Sequence, residues 1–194
     1  LREKYDYIII SFTGGSDSWT VLDAFLSNGI KVDEIIHYAP LEATKNLTPN
    51  NTDFSASNFW SEYHFVAKPQ LERIALDHPD IKIVIHDWSV GGEKSKLKED
   101  WQLNRSANLA PHINRRWSLE VKTDSVWKHK NICHIQGLEK PRICIKDNKY
   151  CIYFLDFVHL QTVDFEEYCN DHWTTEFFYW APESEKILRK QAHI

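Results

Sequence analysis

The chain of 194 residues has no methionine, only six glycines, and no apolar run near the roughly 18 residues that a bilayer-spanning helix requires. The missing run excludes such a helix. Ile8 to Phe12 is too short for a secretory signal and follows Glu3 and Asp6. The missing methionine, initiator included, points to a trimmed chain, so short motifs carry more weight than long spacings. Cys133, Cys144, Cys151 and Cys169 form no C-x-x-C pair, which removes the usual zinc-knuckle and dithiol motifs. Cys169 and His172 have C-x-x-H spacing, half of what a metal site needs; reduced thiols in a cytoplasmic protein are the expectation. Positive charge is not in excess either. With 23 Lys and Arg against 28 Asp and Glu, the net charge of −5 weighs mildly against a general grip on nucleic acid and leaves room for local basic patches.

What is present, 42% hydrophobic residues in a chain of this length, suits one globular core rather than two. Tyr5 to Phe12 reads as a buried strand. A helix follows, with Trp19, Leu22, Phe25 and Leu26 on one face, capped by Asp17 or Ser18 and ended by Asn28-Gly29. Val32 to Tyr38 is a second strand, and the unit is a βαβ crossover. A helix from Ser55 or Ser57 to about Leu76 must kink or split at Pro69. Ile81 to His86 and Asn131 to Gln136 are further strands; 91–123 reads as two helices separated near Pro111. Beyond them "RICIKDNKYCIYFLDF" reads as a hairpin around Asp147-Asn148-Lys149, "TEFFYWAP" as a short aromatic strand, and Glu183 to His193 as a closing helix. The expected class is α/β: a Rossmann-like parallel sheet with helices on both faces and a β-rich C-terminal portion.

The pair Gly14-Gly15 stands at the first strand-to-helix junction. Helix N-termini offer unpaired N–H groups and partial positive charge, and glycine lets backbone approach an anion without a Cβ in the way. Thr13, Ser16 and Ser18 add hydroxyls, and ligands of open α/β sheets bind beyond the carboxyl ends of the strands. No G-x-G-x-x-G is present, and Gly91-Gly92-Glu93-Lys94-Ser95 fails the Walker A spacing. The residues Thr13, Gly14, Gly15, Ser16, Asp17 and Ser18 are therefore the expected phosphate cradle. His86-Asp87, at the end of a strand, and the aromatics Trp117 and Tyr179-Trp180 are secondary candidates for contacts to a base or acceptor; packing explains them as well.

Residues 13–18 resemble the S-G-G-x-D-S loop of the PP-loop ATP pyrophosphatase superfamily, with Thr13 in place of the first serine. Gly137-Leu138-Glu139-Lys140-Pro141-Arg142 resembles the late basic motif of its phosphoadenosine phosphosulfate (PAPS) reductase-like branch, and "TEFFYWAPESEKILRKQAH" is similar to the ending of such proteins encoded by bacteriophages. The resemblance implies an adenine nucleotide alpha-hydrolase-like fold, with a nucleotide-binding core at 1–140 and a hairpin-and-helix extension at 141–194 packed on it. It implies binding of ATP with Mg2+, cleavage of the bond between the α and β phosphates, adenylation of an acceptor and release of pyrophosphate. Asp17, Lys140 and Arg142 would be catalytic, with Asp17 also a magnesium ligand. The acceptor, a small molecule or a nucleic acid, is not named by these motifs, and a homo-oligomer stays open; no membrane partner is expected. Two other readings are a non-catalytic module that binds ATP, AMP or PAPS, and a sulfonucleotide reductase using Cys169 or Cys151. The tail lacks the C-terminal cysteine of PAPS reductases, which weighs against the latter.

Overall fold

A computed structural model describes residues 1–39, 41, 61–87, 130–137, 140–153, 173–179 and 183–191. Strand β1 (Tyr7–Ser11) leads into helix α1 (Ser16–Ser27), β2 (Glu34–Ala39), helix α2 (Glu62–Asp77) and β3 (Lys82–Asp87). Then come β4 (Ile132–Gln136), β5 (Arg142–Lys146), β6 (Lys149–Tyr153), β7 (Trp173–Phe177) and helix α3 (Glu185–Gln191). Five strands form one sheet in the order β3-β2-β1-β4-β7, and every neighbouring pair is parallel. The class is α/β.

The inner strands carry near-continuous apolar runs because a parallel sheet is covered on both faces. Ile8, Ile9 and Ile10 of β1 are fully buried, and all five residues of β4 are buried. Burying one such Ile side chain contributes about 1.5–3 kcal/mol. Ile8, Ile10 and Ile35 share a cluster with Val21, Leu22 and Phe25 of α1 and with Leu71 and Ile74 of α2, so both helices cover the same face. That agrees with right-handed crossovers from β1 to β2 to β3. Among the described residues, helix cover is seen on this face alone, where the sequence pattern predicts helices on both.

The other face holds Ile9, Ile36 and Ile132, with Tyr7 and Tyr38 packed on them. Buried Glu34 lies there too, accepting a hydrogen bond from the Tyr7 hydroxyl at 2.8 Å and pairing with Lys82 at 3.2 Å. Burial, together with the Glu34 carboxylate, holds the Tyr7 hydroxyl protonated far above the usual phenol range.

Several elements differ in detail from the sequence expectation. The N-cap of α1 is Gly15, not Asp17 or Ser18. Its buried stripe is Ser18, Val21, Leu22 and Phe25, which leaves Trp19 partly exposed and edge-on to Phe12. The helix ends as expected: Gly29 has φ +65°, and the Ile30 N–H reaches back to the Phe25 carbonyl. Helix α2 opens as a π-helical turn over Glu62–Ala67 and continues as an α-helix over Lys68–Asp77. Pro69 has no N–H for the Phe65 carbonyl and its ring crowds that carbonyl; the wider turn before it, with the Lys68 N–H on the Tyr63 carbonyl, absorbs the conflict. The proline thus changes the helix register rather than breaking the helix.

The β5–β6 hairpin closes through Asp147 and Asn148, both at positive φ (50° and 59°), the geometry of a type I′ turn. Its register sets Cys144 directly opposite Cys151. β7 does not stand apart with that hairpin. It pairs with β4 as the fifth strand of the main sheet.

The expected N-terminal part of the 55–76 helix, the 91–123 helices, Gly91–Ser95, Trp117, Leu138, Glu139, Cys169, His172 and Trp180 lie outside the described residues. No described helix is long and apolar enough to cross a membrane.

Candidate anion site at the sheet's switch point

The chain steps from β1 to β2 to β3 in one direction, and it then returns to β4 on the other side of β1. Strand order therefore reverses between β1 and β4, and loops leaving their carboxyl ends must diverge. Open parallel sheets bind ligands in the crevice so formed. Residues 13–18 leave β1 at that point.

Within the turn, the two glycines do different work. Gly14 has φ +85°, and a Cβ on it would lie 3.0 Å from Ala67 Cα. Gln70 Nε2 donates to the Gly14 carbonyl at 3.3 Å. Gly14 is thus needed because helix α2 packs on its backbone. Gly15 has φ −74° and ψ 164°, ordinary extended values, and a Cβ there would meet only Thr13 Oγ1 at 3.5 Å. Gly15 is the exposed one. The open approach to backbone that the sequence assigns to the pair belongs to Gly15 alone.

Ser18 holds the turn from inside. Its buried hydroxyl donates to the Gly15 carbonyl at 3.0 Å and accepts from the Thr13 N–H at 3.2 Å. Its one proton being committed to a carbonyl, the 3.1 Å contact with Thr13 is donated by Thr13 Oγ1. Thr13 Oγ1 also accepts from the Gly15 N–H at 3.3 Å. Ser18 is therefore a brace for the turn rather than a hydroxyl facing outward. Ser16 and Asp17 occupy the exposed first turn, where the N–H groups of Ser16, Asp17 and Ser18 have no acceptor within the helix. With the dipole of this twelve-residue helix, they make a positive end.

From the other side of the crevice, Lys140 Nζ reaches Asp17 Oδ1 at 2.6 Å. The hydrogen bond to the Asp17 carboxylate is the main cause that raises the Lys140 pKa, so the ammonium is fully charged. The same Lys140 lies over the Tyr179 ring, 5.4 Å from its centroid. Gly137, the residue after β4, permits this closeness: a Cβ on it would lie 2.8 Å from Val21 Cγ2 and 3.1 Å from the Asp17 carbonyl oxygen.

Tyr179 follows β7 and is buried, with its hydroxyl donating to that same Asp17 carbonyl at 3.1 Å. It anchors the first turn of α1 and does not present a ring for base stacking. Arg142, expected beside Lys140, opens β5 in the separate two-stranded sheet; it is exposed and has no ion pair among the described residues. The structure unites Asp17 and Lys140. Among the described residues no hydrogen bond or ion pair joins Arg142 to either of them.

Sequence reasoning singles out His86 and His172 but passes over His37 and His134. His37 of β2 is 6% exposed; its Nδ1 lies 2.8 Å from the Phe12 carbonyl and its ring stacks on Tyr63 at 5.6 Å. Burial lowers its pKa. His134 of β4 places Nε2 2.7 Å from Ser11 Oγ on β1, a polar tie across the two strands that flank the crevice. His86 stacks on Tyr38 across β3 and β2. An alternating pattern marks such positions as buried only once the sheet is known to be covered on both faces.

Among the thiols, buried Cys133 is pushed up to about 12 by desolvation and is not a thiolate. Among the described residues no group of three or more His, Cys, Asp or Glu could hold a metal ion. Comparison of the chain with protein-family models, curated proteins and solved structures gives no match in any of the three.

Proposed function

We propose that the chain is an ATP-binding enzyme of the PP-loop type, with a Rossmann-like, adenine nucleotide alpha-hydrolase-like sheet. It cleaves the α–β phosphate bond of ATP, adenylates an acceptor and releases pyrophosphate. The observation that carries this reading is the convergence, at the point where strand order reverses, of the open Gly15–Asp17 turn at the α1 N-terminus with the Lys140 ammonium. Two independent sources of positive potential face one crevice, the arrangement a polyphosphate needs.

In the proposed reaction an acceptor oxygen attacks the α-phosphorus, and the bond from that phosphorus to the bridging oxygen breaks. The electron pair leaves with pyrophosphate. Lys140 and the first-turn N–H groups of α1 offset the charge on the departing group, while the rigid turn holds the phosphates in place. Mg2+ fits this site only as an ion carried by the nucleotide. Asp17 Oδ1 is engaged by Lys140 and by Ser16 Oγ, leaving Oδ2 as a single carboxylate oxygen beside phosphate and water ligands. When bound, the ion would neutralise phosphate charge.

The Asp17–Lys140 pair also favours a second reading, a module that binds adenine nucleotide without turning it over, since each partner already satisfies the other. Incubation with ATP and magnesium over a panel of carboxylate, amide and nucleic-acid acceptors separates the two. The enzyme reading expects adenylated acceptor and pyrophosphate in equal amounts, with AMP appearing only as water or an added nucleophile displaces it from the acceptor, and all of them lost in Lys140→Ala. Formation of ADP and orthophosphate contradicts it; saturable nucleotide binding with no pyrophosphate for any acceptor selects the binding module.

A further inference from the structure

His37 has one nitrogen whose state the structure fixes and another that meets no partner among the described residues. The Phe12 carbonyl can only accept, so the 2.8 Å contact puts the proton on Nδ1. Burial keeps the ring neutral, and Nε2 is then a bare acceptor. No donor meets it among the described residues; the residue as a whole is 6% exposed, and Nε2 is not among the fully buried atoms that lack a partner, so it stays within reach of a ligand. Tyr63 stacks on the ring with an interplanar angle of 25° and fixes its direction.

The position is as informative as the chemistry. Phe12 immediately precedes the 13–18 turn. Tyr63 lies one turn before Ala67, the residue that Gly14 packs against. The imidazole therefore belongs to the same packed unit as the turn, on the β2 side. Apart from the Asp17 carboxylate, which Lys140 pairs with, the turn and its lysine offer a ligand donors and positive charge: the first-turn N–H groups and the Lys140 ammonium. His37 offers the opposite, an acceptor that wants a hydroxyl or amino proton. A ligand that satisfies both carries an anion at one end and a neutral hydrogen-bond donor at the other.

We infer that His37 is the recognition residue for the nucleoside part of the bound nucleotide, with Nε2 accepting a hydrogen bond from a sugar hydroxyl or from the amino group of the base. This rests on the nucleotide reading of the adjacent turn and extends it from phosphate to nucleoside. His37 positions no reacting atom; it discriminates among phosphorylated ligands. A neutral acceptor cannot pair with a second phosphate oxygen, so the same nitrogen disfavours inorganic polyphosphate at that end of the site.

The test uses His37→Asn, whose amide nitrogen takes the place of Nδ1 and keeps the bond to Phe12 while Nε2 is removed. Wild type and variant are titrated with inorganic tripolyphosphate and a non-hydrolysable ATP analogue. The 2′-deoxy, 3′-deoxy and 6-desamino counterparts of that analogue form the second series. Loss of one buried hydrogen bond predicts about tenfold weaker binding of the ATP analogue by the variant. Tripolyphosphate binding is unchanged.

One of the three counterparts binds wild type about tenfold more weakly and loses nothing further in the variant, which tells the sugar from the base. Equal affinity of wild type and variant for the ATP analogue overturns the inference while tripolyphosphate binding keeps the cradle. Wild type that distinguishes none of the counterparts overturns it without any variant, so a misfolded His37→Asn does not protect it. Wild type that binds neither tripolyphosphate nor nucleotide removes the cradle and this inference together.

Discussion

Gly14 and Gly15 are neighbours in one turn and differ in nearly every physical respect. The first is buried at φ +85° against the backbone of α2; the second is exposed at φ −74° with only Thr13 Oγ1 near it. Ser18 belongs with the first, since its hydroxyl is spent on the turn's own carbonyl and N–H groups. Ser16 and Asp17 belong with the second. A signature that reads as one functional unit is thus two layers, an inner one that builds the turn and an outer one that faces the crevice. Variants of the inner layer should act on stability, and variants of the outer layer on ligand binding.

The sharpest contrast is Gly14→Ala against Gly15→Ala. A side chain at Gly14 meets left-handed backbone strain of about 1–2 kcal/mol and a backbone neighbour that cannot move aside. We expect a loss of about 2–4 kcal/mol in urea denaturation for Gly14→Ala, and a change within about 0.5 kcal/mol for Gly15→Ala. Equal losses would erase the two-layer account. Next, Ser18→Ala should cost about 1 kcal/mol, because the Thr13 N–H and the Gly15 carbonyl each lose a part-buried hydrogen bond. A neutral Ser18→Ala in the same denaturation experiment would return Ser18 to the outer layer.

Lys140→Ala should change stability by less than about 1 kcal/mol, its pair with Asp17 being partly open to solvent at 25% and 46% side-chain exposure. Nucleotide affinity should fall far more than stability. A large drop in the thermal midpoint without loss of affinity would make the lysine a structural strut.

The smallest effect concerns His37. Its folded pKa is lowered from 6.5, so just below pH 6.5 the unfolded chain binds a proton that the folded chain refuses. Stability is full above pH 6.5 and is lost as pH falls toward the lowered folded value. His37→Asn should flatten that part of the stability–pH curve relative to wild type, and superimposable curves would deny the imidazole its buried neutral state.

How far the sequence foretold this depends on the range of the contacts. The strand–turn–helix at 7–27 was legible because it rests on local signals: an Ile run, paired glycines and a helical period closed by Asn28-Gly29. The hairpin turn at Asp147-Asn148 was legible for the same reason. What set the roles within the site was not local. Gly14 is explained by Ala67, and Gly137 by Asp17 and Val21, partners that only the folded chain brings near.

β7 shows the same limit, because parallel pairing with β4 leaves no turn signal between them and its aromatic flank resembled an appendage. His37 was hidden in "EIIHYA", where one imidazole in an apolar strand reads as a tolerated core residue. Its committed Nδ1, and an Nε2 that no described residue meets, become visible only with the Phe12 carbonyl in place. Lys140 pairs with Asp17 of the turn, a contact that only the folded chain shows, whereas Arg142 two residues on opens β5 and makes no ion pair among the described residues.

The most direct measurement is isothermal titration of the chain with a non-hydrolysable ATP analogue and magnesium, with Gly15→Val alongside. The geometry at Gly15 tolerates a side chain in the folded protein and puts it where the phosphate would rest. The account predicts saturable binding by wild type and none by a Gly15→Val protein that melts like wild type. Equal binding by both, or no binding by wild type, would contradict the cradle and with it the proposed function.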